Sequence, residues 1–266
     1  YKRWVDAGYA SELNEANIPN MANVMTSIIA PFKKITPDTL SAVPYDYGTT
    51  GIAYNTKYVS EEKAKELGAN LLLDKELKGK IGGWGVDWAN RAWYGALRTG
   101  QDPNNIQDWD AVWDKAREHR DLVLKYWSSG AELMDLLAKE EIYVTEAWSG
   151  RVAALQAQGH PIAYMDPPNG LAWMESMFVL KGSPMAEAEE LLNFMLDPAT
   201  AIAVAEGQKY PPSLDPNKVK MTPTIEALPA YDPTGTLSEL VFRDPVVWNA
   251  VEKEQTKQWN RVSKGG

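Results

Sequence analysis

Two β stretches, an aromatic, glycine-punctuated one at residues 45–55 and a strongly apolar one at 173–180, stand far apart in the chain and bracket a block with its own alternation of strands and helices. Strands alternating with helices predict an α/β architecture with mainly parallel sheets. The bracketed block is near the roughly 100–150 residues of an ordinary domain, so the chain is expected to leave a first lobe once and return once. An outer lobe of residues 1–52 and 172–266 would then be built from both ends, around an inner lobe of residues 53–171. Ligands of such folds sit at strand C-terminal ends and helix N-termini, in the cleft between lobes. A chain of 266 residues, 44% of them hydrophobic, has enough apolar surface for two such cores.

Periodicity and capping residues place the elements. Helices are expected over residues 61–67, 90–98, 109–127, 131–138, 151–158, 183–196, 197–206 and 244–262. Asp108, Ser183-Pro184, Asp197-Pro198 and Asp244-Pro245 supply N-caps or first-turn prolines. Short strands are expected over 80–84, 142–144 and 161–165. Gly82-Gly83-Trp84-Gly85 reads as a tight turn, and the proline-rich stretch 210–235 as an ordered surface loop or a wrapping arm.

Composition removes whole classes of function. A formal net charge of −9 argues against a phosphate-neutralising surface, and so against nucleic acid as a partner. With no Cys and only two His, thiolate metal sites and cysteine nucleophiles are excluded and histidine metal sites nearly so. Neither a cofactor nor a metal is expected. No apolar run approaches the ~20 residues of a membrane span. The chain opens on Tyr1-Lys2-Arg3-Trp4, without initiator Met or signal pattern, and any export signal is expected upstream. There is no nucleophile elbow, phosphate-binding loop, zinc-protease motif or dinucleotide fingerprint. His119 and His160 read as solvated imidazoles, and Glu61-Glu62, Glu140-Glu141 and Glu189-Glu190 as solvated helix charges.

What stands out is an excess of aromatic residues with a polar handle: eleven Trp and twelve Tyr against four Phe. Tyr45-Asp46-Tyr47, Asp87-Trp88, Glu146-Ala147-Trp148 and Trp173-Met174-Glu175 each place a carboxylate within two residues of a large ring. An ammonium is attracted to the face of such a ring by ~0.5–2 kcal/mol, and a desolvated carboxylate adds a charge-assisted hydrogen bond. Trp109, Trp113, Trp127, Trp248 and Trp259 read as core. Trp148, followed by Ser149, and Trp173, followed by Glu175, read as ligand-facing.

Val43-Pro44-Tyr45 through Gly51-Ile52-Ala53-Tyr54-Asn55, then Trp109-Asp110-Ala111-Val112-Trp113, Ala147-Trp148-Ser149-Gly150, Trp173-Met174-Glu175-Ser176, Leu192-Asn193-Phe194-Met195-Leu196-Asp197-Pro198 and Tyr210-Pro211 resemble, in order, the spermidine/putrescine-binding family. These are the periplasmic substrate-binding proteins of polyamine ABC importers. The resemblance implies a periplasmic-binding-protein fold, in which two αβ lobes close by a hinge on one solute and hand it to a membrane permease. It also implies that an opening segment of the first lobe lies outside this chain. Trp148 and Trp173 match the family's stacking tryptophans, Glu175 its acid beyond the second Trp, and Tyr210 a cleft tyrosine, with Tyr1 near a further ligand-contacting aromatic. Where the family places acids at the first helix of the inner lobe, this chain has Trp88 and Arg91, with Asp87 just before. Arg243 falls near a neutral polar contact of the family.

Those departures point to a solute with an ammonium met by Glu175, Trp148 and Trp173, and an anionic group forked by Arg91. A plain polyamine fits instead if Asp87 or Glu146 neutralises Arg91. The expected partners are thus a small amine or zwitterion and a permease, with the chain monomeric and not an enzyme. The alternatives are a ferric-ion carrier, which would need a second phenolate beside Tyr210, and a small-molecule enzyme on the same fold.

Overall fold

The computed structural model describes residues 1–265; residue 266, the end of the expected outer lobe, lies outside the described residues. Its strands are β1 (Val43–Asn55), β2 (Ile81–Trp84), β3 (Val123–Trp127), β4 (Val144–Trp148), β5 (Ile162–Met165), β6 (Leu171–Met177) and β7 (Val241–Phe242). The chain forms two compact units. Unit 1 is Tyr1–Gly48 with Trp173–Glu239, and unit 2 is Thr49–Ala172 with Leu240–Gly266. The polypeptide therefore changes unit within β1, again within β6, and a third time after Glu239.

The third crossing differs from the single exit and return expected from the sequence, and its cause is aromatic packing. The last helix, Pro245–Val262, is capped by Asp244, whose carboxylate accepts from the Val246 amide at 2.8 Å. It buries Trp248, Trp259 and Val262 in unit 2 among Trp93, Val112 and Trp113. Ring centroids lie 5.7 Å apart for Trp93 and Trp248 and 6.5 Å for Trp113 and Trp259, and the Trp113 indole donates to Gln255 at 2.8 Å. An end helix goes where its largest apolar surfaces find complementary rings, which periodicity alone does not reveal.

Unit 2 holds a mixed sheet rather than a mainly parallel one. β2 lies between β3 and β4, parallel to both. β1 pairs antiparallel with β4, from Thr50 opposite Trp148 to Tyr54 opposite Val144, and antiparallel with β5. β1 enters without a crossover helix, so nothing obliges it to run parallel. The helix expected over 109–127 breaks. It spans Trp109–Arg120, ends at Asp121, and leaves Val123–Trp127 as strand β3. A β-branched residue followed by Tyr126 and Trp127 favours the strand once a parallel partner is present.

That partner explains Gly82 and Gly83, which belong to β2 and not to a tight turn, Gly85 lying just beyond the strand. A Cβ on Gly83 would stand 2.7 Å from Tyr126 Cε1 and 2.9 Å from His119 Cε1. His119 is therefore sealed beneath the sheet rather than solvated. Its Nδ1 accepts from Arg91 Nη1 at 3.0 Å, and burial first, then the Arg91 and Arg98 charges, push its pKa well below the usual value.

In unit 1, residues 210–214 run along β1. The Tyr47 amide donates to Pro211 O at 3.1 Å, the Ser213 amide to Tyr45 O at 2.9 Å, and Ser213 Oγ to Pro44 O at 2.8 Å. Beyond them, Leu214, Met221 and Ile225 bury against Ala201 and Ala205 of the helix Pro198–Gln208. This helix runs one residue past Gly207, and Lys209 adopts the left-handed conformation that terminates it. The helix Met185–Met195 starts after Pro184, with no side-chain cap from Ser183. Glu189, expected to be solvated, is 3% exposed and accepts from the Asn14 amide at 2.7 Å and Asn17 Nδ2 at 2.6 Å.

Candidate functional site

Strand alternation puts Trp173 and Glu175 of β6 on one face. The half-buried Trp173 ring meets the buried Tyr210 ring edge-on, with centroids 4.9 Å apart and planes at 79°. Glu175 is exposed, and the Tyr45 hydroxyl donates to its Oε2. Burial and that carboxylate push the Tyr45 phenol up, so Tyr45 stays a donor and fixes the acid in place. The cluster therefore offers a held carboxylate beside a large aromatic surface, an arrangement suited to a cation.

Asp46, next along β1, is 2% exposed, and neither carboxylate oxygen has a side-chain hydrogen-bond partner among the described residues. Burial and then the Glu175 charge raise its pKa to about 7, with the Glu175 backbone opposing part of that rise. Tyr47 is not available to a solute, contrary to expectation. It is 1% exposed, and its hydroxyl accepts from the Asp232 amide at 3.1 Å. Tyr45 and Asp46 are thus the members of Tyr45-Asp46-Tyr47 that reach Glu175. The run was visible in the sequence, but the arm that covers its far end was not. Tyr1 packs on Phe32 with centroids 4.8 Å apart, shares a hydrogen bond with Thr36 Oγ1 at 2.8 Å, and accepts from the Ser41 amide at 3.3 Å.

Unit 2 carries the other candidates in three groups. Trp148, at the end of β4, meets Trp84 and Trp127 edge-on, both at 5.2 Å between centroids. Ser149 is buried behind it, its Oγ accepting from the Thr49 amide at 3.3 Å. Asp87 caps the helix Trp88–Arg98 through the Ala89 amide at 2.9 Å and receives Arg243 Nη2 at 2.5 Å. The Arg243 guanidinium lies 5.7 Å from the Trp248 ring centroid, and Trp88 tilts against that same ring at 5.4 Å.

Arg91 is the clearest departure from expectation. It is 1% exposed and ion-paired with Glu146, itself fully buried. A guanidinium held between a buried carboxylate and His119 is a structural element of the unit 2 core, not a fork open to a solute anion. Both arginines expected to favour a zwitterion already have carboxylate partners.

Among the described residues no group of three or more His, Asp or Glu could hold a metal ion, and no helix is long and apolar enough to cross a membrane.

Comparison with solved structures gives the fold. The TpPotD lipoprotein of Treponema pallidum matches with a TM-score of 0.79 at 20% identity, covering 98% of this chain and 80% of that one. The fold is accordingly α/β and periplasmic-binding-protein-like. In sequence, the putrescine/agmatine-binding protein of Pseudomonas aeruginosa is 25% identical over 285 residues, covering 98% of this chain and 75% of the relative. The putrescine-binding periplasmic protein PotF of Escherichia coli is 26% identical over 293 residues, covering 99% and 76%. The model of the bacterial extracellular solute-binding protein family matches residues 1–232, most of the chain, and the chain belongs to that family.

Proposed function

We propose that the chain is the solute-capturing component of an ABC importer outside the cytoplasm, acting as a monomer that takes up a small amine and delivers it to a membrane permease. The observation that carries this reading is the exposed Glu175 carboxylate, held by Tyr45 and set two residues from the half-buried Trp173 on one strand face. A primary ammonium satisfies that carboxylate and lies against the indole at the same time. The relatives named for putrescine binding support an amine with a second amino group. The pairing of Arg91 with Glu146 and of Arg243 with Asp87 favours a polyamine over a zwitterion, because neither guanidinium has an unpaired charge to offer an anion. Trp148 is the aromatic of unit 2 that the family resemblance assigns to the solute.

The test is titration calorimetry of putrescine into the wild-type chain and into Glu175→Gln. Leaving an ammonium without its carboxylate costs about 2 kcal/mol or more, so affinity is expected to fall at least ~30-fold. An unchanged dissociation constant removes Glu175 from the site.

A further inference from the structure

Thr49 opens unit 2 on β1, and it is held from two sides. Its amide donates to Ser149 Oγ at 3.3 Å, beside Trp148, and Thr50 stands directly opposite Trp148 in the β1–β4 ladder. On the other side the ladder from β1 to β5 ends at Ile52 opposite Met165, short of Thr49. Side chains carry the link onward. Thr49 Oγ1 donates to Asp166 Oδ2 at 2.9 Å and lies 2.8 Å from the Tyr164 hydroxyl, which donates to Asp166 Oδ1 at 3.1 Å. The Tyr164 ring reaches Thr49 by lying across β1 at Gly51, where a Cβ would stand 2.6 Å from the ring Cζ. A residue without a side chain keeps that path open.

The tie does little for the core, which rests on the buried apolar clusters of unit 2, and Asp166 itself is exposed. What it fixes is place. The Trp84 and Trp127 rings set the tilt of the half-buried Trp148, while the backbone that carries it is paired with Thr50 and bonded to Thr49. Thr50 O is already held by the Tyr94 hydroxyl at 2.8 Å, so Thr49 is the point that depends on Tyr164 and Asp166. Freedom removed there in advance is freedom that solute binding does not have to remove. We infer that Tyr164 and Asp166 are positioning residues of the amine site, locking Thr49 so that Trp148 is presented in one place. They act through Thr49 and not by contact with the solute. The inference rests on the amine-capture reading above and on the place the family resemblance gives Trp148.

The test is a double-variant cycle read by titration calorimetry of putrescine into the full chain: wild type, Tyr164→Phe, Trp148→Ala and the two together. Tyr164→Phe removes the hydroxyl that contacts both Thr49 and Asp166, and is expected to weaken binding roughly 3- to 10-fold. In the Trp148→Ala background the same change is expected to cost nothing further, because no ring is left to position. Asp166→Ala should repeat the loss at an exposed position where folding is not at risk. Asp166→Asn, which accepts from one hydroxyl and donates to the other, should keep wild-type affinity. Equal losses in the two backgrounds, as a merely structural role would give, overturn the positioning role. So does unchanged affinity in both Tyr164→Phe and Asp166→Ala, or in Trp148→Ala; each of these leaves intact the solute reading, which Glu175→Gln tests. No binding of putrescine by wild type overturns both.

Discussion

Glu146→Gln is expected to be among the most damaging single substitutions in unit 2. The Arg91 guanidinium is 1% exposed and Glu146 is its carboxylate partner, so neutralising Glu146 strands a positive charge in a core that cannot solvate it. Removing one member of a buried pair costs about 3–5 kcal/mol. For a unit of this size, each kcal/mol lowers the midpoint temperature by roughly 2–4 °C, giving a fall of roughly 6–20 °C. Removing both charges with Arg91→Met and Glu146→Met restores most of the loss, because paired apolar chains of similar volume replace buried ion pairs at little cost. The remaining deficit is the Arg91 bond to His119, worth about 1–3 kcal/mol. Urea unfolding followed by tryptophan fluorescence reads the cycle, since Trp93, Trp113 and Trp127 are all buried in unit 2. A cost below about 1 kcal/mol for Glu146→Gln, or a double variant as weak as the sum of the singles, refutes a structural Arg91–Glu146 pair. The same double variant should bind putrescine as wild type does.

Three further outcomes follow from the geometry. Trp173→Ala should weaken putrescine binding roughly 2- to 30-fold, the loss of ~0.5–2 kcal/mol of ring attraction, with Trp173→Phe intermediate in the same titration. His119 is held neutral in the fold, so protonation favours the unfolded chain: its contribution is complete above the unfolded value near 6.5 and declines below it by about 1.4 kcal/mol per pH unit. Urea midpoints taken between about pH 7 and pH 5 should show that slope, and His119→Gln should flatten it. Gly83→Ala forces a methyl group against Tyr126 and His119 and should cost about 1–3 kcal/mol in thermal unfolding, with no change in the solute preferred.

The sequence was legible at most positions where a local signal decided the outcome, Ser183 excepted. Asp108, Asp197 and Asp244 cap the helices they were expected to cap, since the capping bond involves only neighbouring residues. The bracketing stretches likewise appear as β1 and β6. It was opaque where a distant partner decided. Residues 123–127 become a strand because β2 lies beside them, His119 is buried because Gly83 leaves room, and the last helix joins unit 2 because its tryptophans find rings there. In the candidate site, Trp173, Glu175 and Tyr210 were readable as aromatic and acid beside a strand. The exchange of Tyr47 for Tyr45, and the withdrawal of Arg91 into an ion pair, depend on the covering arm and on Glu146. Neither is encoded near the residue it affects.

The central claim, capture of a small amine at the Glu175 cluster, is tested most directly by calorimetric titration of the wild-type chain with putrescine and with 4-aminobutyrate. With Arg91 and Arg243 already paired, putrescine should bind and 4-aminobutyrate should bind more weakly. Selective binding of 4-aminobutyrate, or no heat with either, would contradict the account.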